Sequence, residues 1–294
     1  MTDRLRALWD FSDLDASEQR FREQLDQETS DEGRAEVLTQ LARVEGLRGA
    51  FDEGERYVED AEALAGDSAV ARARIDLERG RLRRSSGNKV VALPLFVAAF
   101  ETARAAGELY IAVDAAHMAA LAAPDRDSFV EWTQRGVELA EPAEPAVRYW
   151  LGPLLNNLGW EYFEAGDHEQ ALPAFRRALE VRELQPDNRE PIALARYAVA
   201  KTLRALGRPD EALPLLEQAV AWTDEVGQPD GWYHEELAET YTALGRDGDA
   251  REQAEKALAV LPAADPDFTP DGERAQRLHR IAAETPHGPS ELDD

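Results

Sequence analysis

A motif of small and large apolar residues recurs along this chain at intervals of several tens of residues. Its best copy lies near the middle and reads, in order, Leu155, Leu158, Gly159, Tyr162, Gly166, Ala171, Phe175 and Ala178. Such self-similarity is the signature of an array of units, none of which can bury its apolar face alone. We therefore expect a stack of neighbouring units rather than one central core.

Further copies lie on both sides of this one. The two that follow carry Gly207 with Ala212, Leu216 and Ala219, and then Gly245 with Ala250, Ala254 and Ala257. Ala212 lies 41 residues after Ala171, and Ala250 lies 38 residues after Ala212. Weaker copies precede the best one, around Gly54, around Gly80, Ala92 and Phe96, and in a degenerate form over residues 110–140. The motif thus extends over most of the chain.

The composition predicts that the units are helical. Ala, Leu, Glu and Arg are abundant and β-branched residues are sparse, which favours helix over any long window. Prolines stand between the later copies, where a helix has to end: Pro186, Pro191, Pro229, Pro262 and Pro266. We expect an all-α protein built from about six to seven antiparallel helix pairs.

The spacing resembles the tetratricopeptide repeat, with Leu155 in the place of the usual tryptophan and a period longer than the minimal ~34 residues. The resemblance covers residues 31–262 and implies an α-solenoid, a right-handed superhelix of helical hairpins. We expect a capping helix or worn repeat over residues 1–30 and the array over 31–262. A polar capping helix and a disordered acidic tail would follow over 263–294.

Charge and cysteine content exclude several classes of partner and of site. The chain carries 59 acidic against 33 basic side chains, a net charge of −26, so its field repels nucleic acid and anionic lipid. It has no cysteine, which excludes disulfides and thiolate sites. The first residues are charged, and the longest apolar run, Val90 to Phe100, is too short to span a bilayer. We expect a cytoplasmic monomer or weak homodimer, and the scarcity of lysine suggests a bacterial source.

The sequence contains no pattern typical of a catalytic or metal site. No two of its five histidines have the spacing that places two metal ligands on one helical face. His234-Glu235 begins like a zinc-protease motif, but Ala238 occupies the place of the second histidine. We therefore predict no enzyme activity, no cofactor and no metal.

In tetratricopeptide repeats the first helix of each hairpin lines a groove that binds protein segments. Transferred position by position, the resemblance implies a groove lined by Arg43, Arg74, Arg81, Arg84, His117, Asn156, Asn157, Trp160, Phe163, Tyr197, Lys201, Arg204 and Trp232. Because an acidic chain has collected bases and amides there, we expect a partner segment of acidic character. Two alternatives stay open, a solvated face for Arg74, Arg81 and Arg84, and packing between helices for Trp160 and Trp232.

These inferences favour a scaffold or adaptor that binds another protein or a peptide. The alternative is a peptide-responsive sensor that lacks its own DNA-binding domain and acts through a separate output protein. A cluster of apolar residues near the start allows either self-association or capping of the first hairpin: Trp9, Phe11, Leu14 and Phe21.

Overall fold

The computed structural model describes residues 3–283, in which every regular element is a helix. A 3₁₀ helix at Arg6–Leu8 precedes α-helices α1 (Leu14–Gln27), α2 (Asp31–Leu47), α3 (Phe51–Leu64), α4 (Ala69–Ser85), α5 (Lys89–Ala106), α6 (Leu109–Ala122), α7 (Arg126–Ala140), α8 (Pro145–Arg148), α9 (Leu151–Glu164), α10 (His168–Glu183), α11 (Arg189–Ala205), α12 (Pro209–Glu225), α13 (Gly231–Ala243), α14 (Asp247–Ala264) and α15 (Glu273–Ala283). The expected disordered tail, residues 284–294, lies outside the described residues.

Successive helices pack against each other as hairpins. Within residues 3–283 the pairs are α2 with α3, α4 with α5, α6 with α7, α9 with α10, α11 with α12 and α13 with α14. Helix α1 packs against α2, and α15 packs against α14. This is the all-α array of tetratricopeptide-like hairpins that the repeat predicted.

Contacts between helices divide the chain into two compact units, Met1–Leu154 and Leu155–Asp294. The first unit holds two buried clusters, one around Phe21 and Leu41 and one around Phe96 and Phe100. The second unit holds a continuous core built mainly on aromatic and aliphatic side chains from α10 to α15. The boundary was not predicted from the sequence, since the copies of the motif continue on both sides of it.

The small residues of the motif allow the two helices of a hairpin to approach closely. A Cβ added to Gly159 of α9 would lie 2.5 Å from the ring of Phe175 on α10. A Cβ added to Gly80 of α4 would likewise lie 2.5 Å from the ring of Phe96 on α5. Two copies of the motif thus use the same contact, in which an aromatic ring of the second helix rests on a glycine of the first.

Glycine also makes the turn within the hairpin. Gly166 between α9 and α10 has a φ of 80°, and Gly207 between α11 and α12 has a φ of 73°. Side chains other than glycine rarely adopt this left-handed conformation, which ends a helix and reverses the chain. In these two hairpins the turn glycine therefore allows the second helix to run antiparallel to the first.

Candidate functional site

The predicted groove residues of the first unit lie on one side of α2, α4 and α6. We call this side the inner face of the first unit. It carries side chains at helical spacing from each helix: Glu36, Gln40 and Arg43; Arg74, Glu78 and Arg81; Tyr110, Asp114 and His117. Residues three and four apart on a helix share a face, so each helix contributes one continuous row.

Arg74 is buried on this face, with 5% of its surface exposed. Its Nε lies 3.2 Å from a carboxylate oxygen of Glu36, and its terminal nitrogens donate to both carboxylate oxygens of Asp3. A buried guanidinium with two carboxylate partners is neither a solvated charge nor an open contact for a ligand. In this structure Arg74 therefore joins α2, α4 and the first described residues.

Arg81 is paired in a similar way. It donates to Glu78 on its own helix and to Asp114 on α6, and Arg43 lies 3.9 Å from Asp114 on the other side. Burial alone would raise the pKa of Asp114, but the charges of Arg81 and Arg43 outweigh it and hold that pKa below its ordinary value. Burial keeps the pKa of Glu78 above its ordinary value, although Arg81 and Arg43 oppose this. Arg81 thus links two hairpins rather than projecting into solvent.

Arg43 stacks on the chain's own aromatic residues. Its guanidinium lies 5.2 Å from the ring centre of Trp9 and 5.3 Å from that of Phe11. The indole Nε1 of Trp9 donates to Gln40 at 2.9 Å. The stretch formed by residues 3–11, which we call the N-terminal segment, therefore covers this part of the inner face of the first unit.

The remaining predicted residues of the first unit also have internal contacts. Arg84 donates from Nε to the backbone carbonyl of Leu121 at 3.4 Å. The ring of His117 lies 5.4 Å from that of Trp150, and burial lowers the pKa of His117 to about 4. At neutral pH this histidine is uncharged, and it contributes packing rather than positive charge.

In the second unit, the first helices α9, α11 and α13 carry a row of aromatic side chains. Ring centres are 5.5 Å apart between Phe163 and Trp160, 6.3 Å between Trp160 and Tyr197, and 5.0 Å between Tyr197 and Tyr233. We call these four residues the aromatic row. Trp160 and Phe163 are half-buried, whereas the two tyrosines are buried. Sequence reasoning missed Tyr233, because it assigned the neighbouring Trp232 to the groove.

Trp160 and Trp232 also serve the core of the second unit. The Trp160 ring meets the buried Phe175 ring edge-on at 5.1 Å, and Trp232 packs against the same core. The packing interpretation therefore holds for both residues. For Trp160 it coexists with a partly exposed ring.

The two consecutive asparagines lie at the start of this row. Asn156 is 9% exposed, and its Oδ1 accepts no hydrogen bond from the described residues. Asn157 is half-buried. A buried polar atom without a partner costs free energy, so the amide of Asn156 needs a reason other than stability.

Basic side chains of α11 and of α15 pair with acidic side chains of α13, which lies between them in sequence. Lys201 lies 3.2 Å from Glu236, and Arg204 donates to Glu236 and lies 3.1 Å from Glu239. On the far side, Arg277 of α15 pairs with Glu239 and Arg274 pairs with Glu235. We call this set the ion ladder.

Glu236 is the centre of the ion ladder, with 2% of its surface exposed. Burial would raise its pKa, but the hydrogen bond from Arg204 and the charge of Lys201 outweigh it and hold the pKa of Glu236 below its ordinary value. Lys201 and Arg204 thus lie on the predicted side of α11, but each has a carboxylate partner. The sequence could have indicated this pairing, because Glu236 follows Lys201 by 35 residues, about one repeat.

Among residues 3–283, no cluster of His, Asp or Glu is placed to hold a metal ion, and no helix is long and apolar enough to cross a membrane. A pocket of about 340 Å³ lies near Ile192, Arg196 and Trp222, but none of the predicted groove residues lines it.

Models of the tetratricopeptide repeat match two stretches of the chain, residues 153–183 and residues 191–263. These are the stretches in which the motif is clearest. No curated protein matches the chain by sequence.

Solved structures with the same architecture are distant in sequence. A signal transduction ATPase with a tetratricopeptide repeat sensor from Pyrococcus horikoshii has 13% identity and a TM-score of 0.69, over 85% of this chain and 40% of that one. A chain of the APC/C hetero-tetramer Cut9–Hcn1 has 17% identity and a TM-score of 0.61, over 95% and 48%. BtubC from P. vanneervenii has 18% identity and a TM-score of 0.61, over 77% and 94%.

The chain spans less than half the length of the first two of these proteins. At such low identity the likeness shows the fold alone.

Proposed function

Because this chain is a tetratricopeptide repeat protein, we propose that it is a non-enzymatic scaffold that binds a segment of another protein. We place the binding surface on the first helices of the second unit. It consists of the aromatic row together with Asn156, Lys201 and Arg204. We further propose that the protein acts in the cytoplasm.

The observation that carries this proposal is the aromatic row. Rings from three successive repeats touch in sequence, and the two at one end, Trp160 and Phe163, keep part of their surface exposed. Leu194 lies three residues before Tyr197 on the same face of α11 and is 39% exposed. Aromatic side chains that lose little conformational entropy are the usual anchors of protein interfaces.

The charges beside the row bear on the chemistry of the partner. Lys201 and Arg204 already bond to Glu236, so an acidic side chain of the partner gains less from them than from unpaired bases. We therefore propose that apolar side chains supply most of the affinity. An acidic side chain next to Lys201, and a backbone amide that donates to Asn156, would set the register of the bound segment.

Affinity capture from a lysate of the source organism tests this proposal. The intact chain would be compared with Phe163→Ala and with Lys201→Gln, both chosen to leave Glu236 in place. Matched controls are Leu184→Ala, which removes a 69% exposed side chain outside the row, and Lys256→Gln, which removes a lysine paired with Glu252 at 2.9 Å on α14. Bound proteins are identified by mass spectrometry, and far-UV circular dichroism checks that each variant is folded.

We expect one or more partners to be captured by the intact chain and by both controls, and lost with Phe163→Ala. Lys201→Gln should reduce recovery of the partner less than Phe163→Ala does. Equal recovery with all variants would refute the aromatic row as the binding surface. Recovery of a small peptide in place of a protein would instead favour the peptide-responsive sensor.

A further inference from the structure

The N-terminal segment contacts the inner face of the first unit at three separate points. At one end Asp3 bonds to Arg74 on α4. At the other end Trp9 donates a hydrogen bond to Gln40 on α2 and stacks under Arg43. Between them Leu5 is 1% exposed. The acid thus meets a base, the leucine two positions later joins a buried apolar cluster, and the tryptophan six positions later meets an amide and a guanidinium.

Most of the segment forms no hairpin of its own. Its regular structure is the single 3₁₀ turn at Arg6–Leu8. It contacts helices α2 and α4 of the array, and it also contacts α1, where Phe21 meets Trp9 edge-on at 5.0 Å and Arg20 donates to the carbonyl of Leu8. Arg4 adds a second ionic contact, 2.6 Å from Glu28 and 3.3 Å from Glu36. These are contacts of the kind that a bound peptide makes, with charge-assisted bonds at polar points and one aromatic anchor.

The residues that hold the segment are the ones that a ligand would use. Arg43 and Arg74 occupy positions that line the groove in this class of repeat, and both are engaged by the N-terminal segment. The second unit offers an aromatic row instead. The two faces therefore differ in the side chains that they present.

We infer that the N-terminal segment is a built-in ligand, and that the inner face of the first unit binds a segment of a different protein with the same pattern. That pattern is an acidic residue, a leucine two positions later and a tryptophan six positions later. The partner segment displaces residues 3–11 from Arg74, Gln40 and Arg43. This surface is separate from the one proposed for the second unit.

The connection to α1 explains why the segment stays bound by default. Residues 10–13 are exposed and join the segment to α1, where Asp13 caps the helix by accepting from Ala16. A short tether of this kind gives an effective concentration of about the millimolar range. A partner segment therefore competes only when its own affinity is high or when the tethered segment is weakened.

Cutting the tether tests the inference. A protease site inserted between Phe11 and Ser12 of the full chain allows the segment to be released after folding. The probe is a fluorescent synthetic peptide of residues 3–11, added to the cleaved and diluted chain and followed by anisotropy. One variant peptide carries Asp3→Lys. The matched control peptide carries Asp10→Lys, the same charge change at an exposed residue whose carboxylate accepts hydrogen bonds from Ser12, which lies outside the peptide.

We expect the cleaved chain to keep its circular dichroism spectrum and to bind the probe, whereas the uncleaved chain excludes it. The Asp3→Lys peptide should bind at least about tenfold more weakly, because it loses a charge-assisted pair. The Asp10→Lys peptide should bind like the parent. In the uncleaved chain, Asp3→Lys should admit the probe.

Three results would overturn the inference. If cleavage unfolds the chain, the segment is part of the core and not a ligand. If the cleaved chain stays folded but does not bind the probe, the inner face is not a binding surface. If the uncleaved chain forms a dimer that Asp3→Lys abolishes, the face belongs to a second copy of this chain and not to a different partner.

Discussion

Gly159→Ala adds one methyl group at the closest contact between α9 and α10. The new Cβ would lie 2.5 Å from two ring atoms of Phe175 and 2.8 Å from a third. Phe175 is fully buried, and its ring is fixed from another side by Trp160. The ring cannot swing into solvent, so the two helices have to move apart or the ring has to leave its preferred rotamer.

Two opposing effects set the magnitude. Replacing glycine by alanine inside a helix contributes roughly 0.5–1 kcal/mol of stability through helix propensity. Overpacking a close-packed core by one methyl group costs roughly 1–3 kcal/mol. Overpacking wins, and we expect the free energy of unfolding to fall by about 1–2 kcal/mol.

Gly248→Ala is the matched control. Gly248 lies in the first turn of α14, and a Cβ added there has no atom within 4 Å. The same chemical change should therefore leave stability unchanged or raise it by up to about 0.5 kcal/mol. Urea unfolding followed by circular dichroism and tryptophan fluorescence measures both variants. If Gly159→Ala proved as stable as Gly248→Ala, the contact between glycine and phenylalanine would not hold the hairpin together.

Two further predictions concern buried charge. Glu236→Ala should lower the free energy of unfolding by about 2–3 kcal/mol, against under about 1 kcal/mol for Glu252→Ala, whose carboxylate is exposed. The folded-state pKa of Glu236 lies below its ordinary value of 4.5, so the ionised carboxylate stabilises the fold above pH 4.5 and this stabilisation is lost as pH falls further. The free energies of unfolding of wild type and Glu236→Ala, measured in urea, should therefore converge in acid. His117, with its pKa lowered to about 4 from an ordinary 6.5, should make the wild type lose stability as pH falls from 6.5, by about 3 kcal/mol at pH 4. His117→Gln should lack that loss, and an equal pH slope in both proteins would contradict the burial of this histidine.

The helical hairpins were predictable because each copy of the motif reports a local contact. Gly159 and Phe175 lie in one hairpin, and their spacing is enough to place two helices against each other. Glycine after the first helix likewise fixes the turn. Family models match this same part of the chain, residues 153–183 and 191–263.

The contacts that the predicted groove residues make could not be predicted in the same way. The pattern placed Arg74 and Lys201 on the first helices of their hairpins, but it did not show what faces them. Arg74 is covered by Asp3, 71 residues away in sequence, and nothing local in the chain indicates that contact. The division at Leu154 also has no sequence signal, because copies of the motif lie on both sides of it.

The pairing of charges between first helices limits how this array can change in length. Several of these pairs join residues about one repeat apart: Glu36 and Arg74 by 38 residues, Arg81 and Asp114 by 33, Lys201 and Glu236 by 35, and Glu239 and Arg277 of α15 by 38. Deleting a hairpin would remove one member of such a pair, and inserting a second copy of a hairpin would separate the two members. In either case a charge would lose its counter-ion. The hairpins are alike in shape, but their order along the chain is fixed.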